Sequence, residues 1–99
     1  MKISKKAEGS TLTIAVEGRI DTTTTPELEK EIKSSLDGFK DLVFDFTGLE
    51  YISSSGLRAL LFALKAMQKQ GGNMTVTNCG DFILEIFAVT GFSKLLTVK

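Results

Sequence analysis

Three consecutive serines stand directly before a segment of regularly spaced apolar residues. The tract is Ser53, Ser54 and Ser55, and it is followed by Gly56. A serine hydroxyl in such a place can cap a helix, carry a phosphate or act as a nucleophile. One serine is sufficient for a cap, and the other two therefore call for either a structural or a chemical explanation.

The lack of histidine in the chain restricts the chemistry of these serines. It excludes a Ser-His-Asp triad, a phosphohistidine carrier and the usual imidazole metal sites. The tract follows a predicted strand, as the nucleophile of a strand–helix elbow does, but it lacks the Gly-x-Ser-x-Gly frame. A nucleophilic serine would need a lysine or a base from another protein. We therefore predict that the protein is not an enzyme and holds no metal.

The composition is that of an ordinary globular chain with one domain, which we place at residues 1–99. Twelve Lys and Arg residues balance twelve Asp and Glu residues, so the chain has no electrostatic signature of a nucleic-acid partner. The longest apolar-rich stretch, 57–67, contains Arg58 and Lys65, and no membrane insertion is expected. Cys79 is the single cysteine and the start of the chain lacks an apolar signal core, which predicts a cytoplasmic protein.

The spacing of apolar residues predicts the elements that position the serines. Alternation on both sides of a turn at 8–10 indicates a β-hairpin. A helix follows from Pro26, with Thr25 as its N-cap, and then a nearly continuous apolar strand at Leu42–Phe46. The remaining elements are a helix from about Ser55 to the glycines at 71–72, a strand at 73–78, a short helix capped by Asp81 and ended by Gly91, and a last strand at 94–98.

The predicted order is therefore β-β-α-β-α-β-α-β. A hairpin followed by βα repeats predicts a small α/β domain with a mostly parallel sheet and helices packed on it. Right-handed crossovers bring the loops after parallel strands to one edge of such a sheet. We expect Asp21, the serine tract and Asn78 to be neighbours at that edge, where open α/β sheets usually bind their ligands.

The helix after the serines has two different faces. At about 100° per residue, one face carries apolar side chains that must pack on the sheet: Leu57, Leu60, Leu61, Leu64 and Met67. The opposite face carries an aromatic residue among small and cationic ones: Ser55, Arg58, Phe62, Lys65, Ala66 and Lys69. This combination is typical of a partner-docking surface, although single exposed apolar residues are also common elsewhere. A phosphate on Ser55 would add about −1.5 to −2 charges at the helix N-terminus and block a partner that packs there.

Three segments of the chain, taken together, resemble the anti-sigma factor antagonists of the STAS domain family. The family's signature, a strand ending Asp-aliphatic-Ser/Thr before an Asp-Ser-Ser-Gly-Leu helix entrance, is similar to "LVFDFTGLEYISSSGLRALL". Its Gly-x-aliphatic-Asp is similar to "GRID", which ends at Asp21, and its closing segment to "TGFSKLLTV". The resemblance covers essentially the whole chain, and the predicted order of elements agrees with it.

The resemblance implies a binding switch controlled by phosphorylation. The unphosphorylated protein would bind an anti-sigma factor that is also a serine kinase, and so free a sigma factor. The kinase would phosphorylate Ser55, the serine before the glycine, and a serine phosphatase would reset the switch. ATP and Mg²⁺ would belong to the kinase, so no cofactor is expected in this chain. Together with the helix face, the resemblance predicts a partner-binding surface of Asp21, Ser54, Ser55, Gly56, Arg58, Phe62, Lys65 and Lys69.

One position departs from the family pattern, because Ser53 stands where an aspartate is usual. The lost carboxylate makes Ser53 and Ser54 competing phosphate acceptors. It also favours a second interpretation, in which the chain is an unswitched STAS scaffold or an accessory subunit of a sensory or transporter complex. Asp21 has two interpretations as well: a contact to the partner or the serine site, and a turn before the helix. We interpret Asp45 as an acceptor for nearby backbone donors.

Overall fold

The computed structural model describes all 99 residues, which form three α-helices and a mixed six-stranded sheet. In chain order the elements are β1 (Lys2–Glu8), β2 (Thr11–Ile20), α1 (Thr25–Ser35), β3 (Asp41–Asp45), β4 (Leu49–Ile52), α2 (Ser54–Lys69), β5 (Asn73–Thr77), α3 (Asp81–Thr90) and β6 (Thr97–Val98). The pair of β1 with β2 is antiparallel and every other strand pair is parallel. The predicted α/β class, opening hairpin and mostly parallel sheet are confirmed.

Strand β2 is the longest strand and changes neighbour along its length. Its first half lies between β1, which is antiparallel, and β3, which is parallel. Its last three residues, Gly18–Ile20, pair instead with β4. Gly18 permits this change, because its φ of 89° suits glycine and its N–H donates to the carbonyl of Gly48 at 2.9 Å.

Strand β4 is missing from the predicted order, which has one strand between the first two helices where the structure has two. Its four residues are too few to show a period, and its strand partner β2 is distant in the sequence. The corrected order is β-β-α-β-β-α-β-α-β. The correction matters for the site, because β4 leads directly into the serine tract and aligns it with the end of β2.

The sheet is buried on one face. Buried side chains alternate with half-buried ones along β2, β3 and β5, and the buried rows join the helices in one core of 22 residues. The strand predicted at Leu42–Phe46 is β3, and Val43 in it lies on the half-buried face. Its continuous apolar composition therefore does not mean burial on both faces.

Helix α1 begins one residue earlier than predicted. Thr24 occupies the N-cap position and Pro26 lies in the first turn, so Thr25 is helical and is not the cap. Leu28 and Ile32 face the core, as their spacing predicts. The side chain of Thr25 is only 2% exposed, and its hydroxyl therefore needs partners inside the protein.

Helix α3 and the end of the chain differ from the prediction in similar ways. Gly80 is the N-cap of α3, and Asp81 is its first helical residue. The helix ends as predicted at Gly91, whose φ is 83°. The predicted last strand, 94–98, is reduced to Thr97–Val98, because Phe92–Lys94 form a 3₁₀ turn before it.

Helix α2 packs on the sheet through small as well as large residues: Gly56, Leu57, Ala59, Leu60, Ala63 and Met67. Leu61 and Leu64, predicted to face the sheet, are only half-buried. A Cβ on Gly56 would lie 2.6 Å from Cγ2 of Ile20 and 2.7 Å from Cγ1 of Ile52. Gly56 therefore allows the start of α2 to approach the paired ends of β2 and β4.

Candidate functional site

The three serines at the start of α2 have three different environments. Ser53 has extended backbone angles, and its Oγ accepts a hydrogen bond from the N–H of Gly56 at 3.3 Å. Ser53 is therefore the N-cap and α2 begins at Ser54, one residue before the predicted start at about Ser55. The N–H of Ser53 donates to the carbonyl of Ile20 at 2.8 Å, which fixes the cap to the end of β2.

Ser55 lies in the first turn of α2 and is half-buried. Its Oγ is 2.8 Å from Oγ of Ser53 and 3.0 Å from Oγ1 of Thr25. We call Ser53, Ser55 and Thr25 the hydroxyl cluster. Ser54, by contrast, is exposed and takes no part in the hydrogen bonds of this cluster. The predicted acceptor Ser55 is thus held in place, and its neighbour Ser54 is the more accessible serine.

Thr25 is predicted from the sequence only as a helix cap, and its place in the cluster is not predicted. It lies in a run of four threonines, and Pro26 after it indicates only that a helix starts nearby. Its contact with Ser55 joins residues 30 positions apart, on the first turns of α1 and α2. No local pattern predicts that contact, because it depends on how the two helices pack.

Asp21 belongs to the loop that leads from β2 into α1. Its Oδ1 accepts hydrogen bonds from the hydroxyl of Thr23 at 2.7 Å and from the N–H groups of Thr23 and Thr24. The Thr23 hydroxyl, followed by these N–H groups, lowers the pKa of the Asp21 carboxyl. The carboxylate therefore fits the interpretation as a turn residue. Its backbone carbonyl also accepts from Oγ1 of Thr25 at 2.7 Å, which links this loop to the hydroxyl cluster.

Asp45 forms a separate group with the ends of β3 and β5. Its Oδ1 accepts from the hydroxyl and N–H of Thr47, at 2.6 and 3.1 Å, and from Nδ2 of Asn78 at 3.1 Å. The Thr47 hydroxyl first, and then Asn78, lower the pKa of the Asp45 carboxyl. These contacts agree with Asp45 as an acceptor for nearby donors. Asn78, expected beside the serine tract, bonds instead to Asp45.

The lowered pKa of Asp45 predicts a pH-dependent contribution to stability. Asp45→Asn should lower the free energy of unfolding near neutral pH by less than about 1 kcal/mol, because solvent screens this half-exposed carboxylate. The stabilisation is present above the ordinary pKa of 3.8 and is lost as the pH falls through the lowered pKa of the folded state. Urea denaturation of wild type and variant at several pH values measures the difference.

The matched control for this prediction is Asp37→Asn, which makes the same charge change at an exposed loop residue. It should leave the pH dependence of unfolding close to that of the wild type. A difference in the free energy of unfolding between wild type and Asp45→Asn that stays constant down to the lowest pH would contradict this prediction, because the stabilisation would then not come from the ionised Asp45 carboxylate.

An open groove runs along the exposed side of α2. It has a volume of about 500 Å³ and is lined by Arg58, Leu61, Phe62, Lys65, Ala66 and Lys69. We call these six residues the docking groove. Phe62 is 41% exposed, and Nζ of Lys33 from α1 lies 5.5 Å from the centre of its ring. Five of the six residues predicted from the helical period thus do share one surface, with cations around an aromatic ring.

Gly56 is the exception among the predicted partner-binding residues. It is buried beneath Ile20 and Ile52, so it presents no surface to a partner. This position requires glycine because a side chain would collide with Ile20 and Ile52. A motif residue next to the predicted phosphate acceptor can therefore belong to the core.

Comparison with known proteins decides the family. The family model described as "STAS domain" matches residues 2–99. The chain belongs to the STAS domain family. This STAS domain is 29% identical, over 87 residues, to the "Anti-sigma-B factor antagonist" of Staphylococcus aureus, a match covering 87% of this chain and 81% of that protein.

Solved structures of anti-sigma factor antagonists have the same fold. An anti-sigma factor antagonist from Mycobacterium paratuberculosis superposes with a TM-score of 0.87 and 26% identity, covering 98% of this chain and 83% of that one. The phosphorylated form of SpoIIAA from Bacillus has a TM-score of 0.77 at 15% identity, with coverages of 99% and 91%. The STAS domain described here has no helix with the length and apolar character needed to cross a membrane.

Proposed function

We propose that this STAS domain is an anti-sigma factor antagonist switched by phosphorylation of Ser55. In the unphosphorylated form it binds an anti-sigma factor with serine kinase activity and so frees a sigma factor; a serine phosphatase reverses the modification. The observation that carries the proposal is the position of Ser55 on the helix that bears the docking groove. A modification there changes the charge of the surface that the partner contacts.

A phosphate on Ser55 is compatible with the fold of α2. The first turn of this helix contains no acidic residue, and the N-terminal end of a helix favours negative charge. Arg58 lies three residues later and is exposed, within the spacing at which side chains of a helix interact. A phosphate paired with Arg58 would remove a cation from the docking groove. SpoIIAA, a protein with the same fold, has been solved in a phosphorylated form, which supports the proposal.

The docking groove also suggests the chemistry of the partner surface. Arg58, Lys65 and Lys69 line it, and Lys33 from α1 stands over the ring of Phe62. Cations around an exposed aromatic ring complement acidic residues around an apolar side chain. A phosphoserine at the start of the same helix would repel that acidic surface. The predicted loss of binding therefore follows from charge as well as from size.

Phe62→Ala should weaken binding of the partner by about tenfold or more, since exposed aromatic anchors carry much of an interface's energy. It should change the free energy of unfolding by less than about 1 kcal/mol, because the side chain is 41% exposed. Val89→Ala on α3, where the side chain is 77% exposed, is the control and should leave both quantities unchanged. A large loss of stability in Phe62→Ala would show that the ring belongs to the core.

The proposal is tested by capturing the partner and mapping the modification. The unphosphorylated protein is used as bait in a lysate of its source organism, and captured proteins are identified by mass spectrometry. The complex is then supplied with Mg²⁺ and ATP, and phosphopeptides are mapped. Capture of an anti-sigma factor and phosphate on Ser55 would support the proposal. Capture of transporter or sensory components without phosphorylation would favour the unswitched scaffold. Phosphate on Ser54 or Ser53 would show that one of these serines, and not Ser55, is the residue that is modified.

A further inference from the structure

The hydroxyl cluster forms a hydrogen-bond chain whose direction can be assigned by counting protons. Each hydroxyl has one proton to donate. Oγ1 of Thr25 lies 2.7 Å from the carbonyl oxygen of Asp21, which has no proton, so Thr25 must donate there. Ser55 must then be the donor in its contact with Thr25. Ser53 in turn must donate to Ser55, while it accepts from the N–H of Gly56.

The chain therefore runs in one direction, from Gly56 N–H through Ser53, Ser55 and Thr25 to the carbonyl of Asp21. It begins on α2 and ends on the loop before α1. Thr25 is the link between the two helices, and at 2% exposure its hydroxyl has no access to water as a substitute partner. Ser54, adjacent to Ser55 but exposed, is outside the chain.

We propose that Thr25 is a positioning residue for Ser55: it holds the unmodified hydroxyl against α1, and it transmits modification of Ser55 to the Asp21–Thr25 loop. The second part rests on the proposed phosphorylation of Ser55, and the first does not. Thr25 touches the acceptor hydroxyl but takes no part in the transfer, because its only proton is committed to Asp21.

Phosphorylation breaks the chain at one defined bond. The Oγ of Ser55 forms a bond to the γ-phosphorus of ATP, the bond between that phosphorus and the bridging oxygen breaks, ADP leaves, and the hydroxyl proton passes to a base of the kinase. Ser55 then has no proton to donate to Thr25. The Thr25 hydroxyl is left as an unpaired buried acceptor, or it turns from Asp21 to the phosphate. Either outcome alters the loop that carries the Asp21 carboxylate.

The first test uses the free protein and needs no partner. In Ser55→Ala, the backbone N–H of Thr25 should exchange with solvent about fivefold faster, the effect of losing about one hydrogen bond. Ser54→Ala, the matched control, should leave that rate unchanged. In the Thr25→Val background, Ser55→Ala should produce no further change, whereas Thr25→Ser should restore the response. Two results would overturn the hydroxyl contact. One is an unchanged exchange rate of the Thr25 N–H in Ser55→Ala, and the other is an equally large effect of Ser55→Ala in the Thr25→Val background.

The second test uses protein phosphorylated by its captured kinase. Phosphorylation should shift the amide NMR signals of residues 21–25 in the wild type and leave them in place in Thr25→Val. Equal shifts in both would mean that the charge of the phosphate acts through space, and would overturn transmission through Thr25. If Thr25→Val fails to fold, Thr25→Ser provides the comparison, with shifts expected to match the wild type. Failure of phosphorylation itself would count against the proposed function, while the first test still decides the contact.

Discussion

Ser55→Asp is expected to weaken binding to the anti-sigma factor by at least about 100-fold, which corresponds to about 2.7 kcal/mol. A carboxylate in the first turn of α2 is tolerated by the helix, so the variant should remain folded. It cannot donate a proton to Thr25, and it brings a negative charge to a surface that presents cations to its partner. Titration calorimetry with the purified partner measures the change, and circular dichroism checks the fold.

Ser54→Asp separates position from charge, because it adds the same charge one residue away at an exposed side chain outside the hydroxyl cluster. It should lose less than about tenfold in affinity, the range expected for an exposed charge at an interface rim. Ser55→Ala should bind as the unphosphorylated wild type does. Equal losses in the two aspartate variants would show that the partner senses total charge and not Ser55, and unchanged binding of Ser55→Asp would refute the switch.

Gly56→Ala is expected to lower the free energy of unfolding by about 2 kcal/mol, the usual cost of overpacking a core. The added Cβ would lie 2.6 Å from Cγ2 of Ile20 and 2.7 Å from Cγ1 of Ile52. Both atoms belong to β-branched side chains with little freedom at χ1, so they cannot move aside cheaply. Urea denaturation followed by circular dichroism gives the difference from the wild type.

This result would be opposite in sign to the ordinary effect of the substitution. Alanine in place of glycine stabilises an exposed helix position by about 1 kcal/mol. Ser54→Ala, in the same turn but exposed, should change the stability by no more than about 0.5 kcal/mol, which is usual for surface sites. A more stable Gly56→Ala protein would show that α2 does not pack as closely on β2 and β4 as the distances indicate.

The sequence was sufficient for the parts of the molecule that depend on local periodicity. The exposed position of Phe62 among cations follows from the helical period, and it is observed. The short strand β4 could not be predicted, because its pairing with β2 is not local. The start of α2 was predicted one residue late for a related reason: three adjacent serines are equivalent to any local rule, and only the contacts of Ser53 and Thr25 distinguish them.

The double pairing of β2 has a mechanical consequence for the proposed switch. Ile20, the last residue of β2, is followed directly by the Asp21 loop, and its carbonyl also accepts from the N–H of Ser53. The cap of α2 and the first turn of α1 are therefore both attached at the end of β2, at Ile20 and at its neighbour Asp21. Because the end of β2 positions both the cap of α2 and the loop before α1, a shift of that strand end should move Ser55 and Thr25 together, with little change in the 3.0 Å separation of their hydroxyl oxygens. We therefore expect the proposed modification of Ser55 to disturb this contact more than thermal motion of the sheet does.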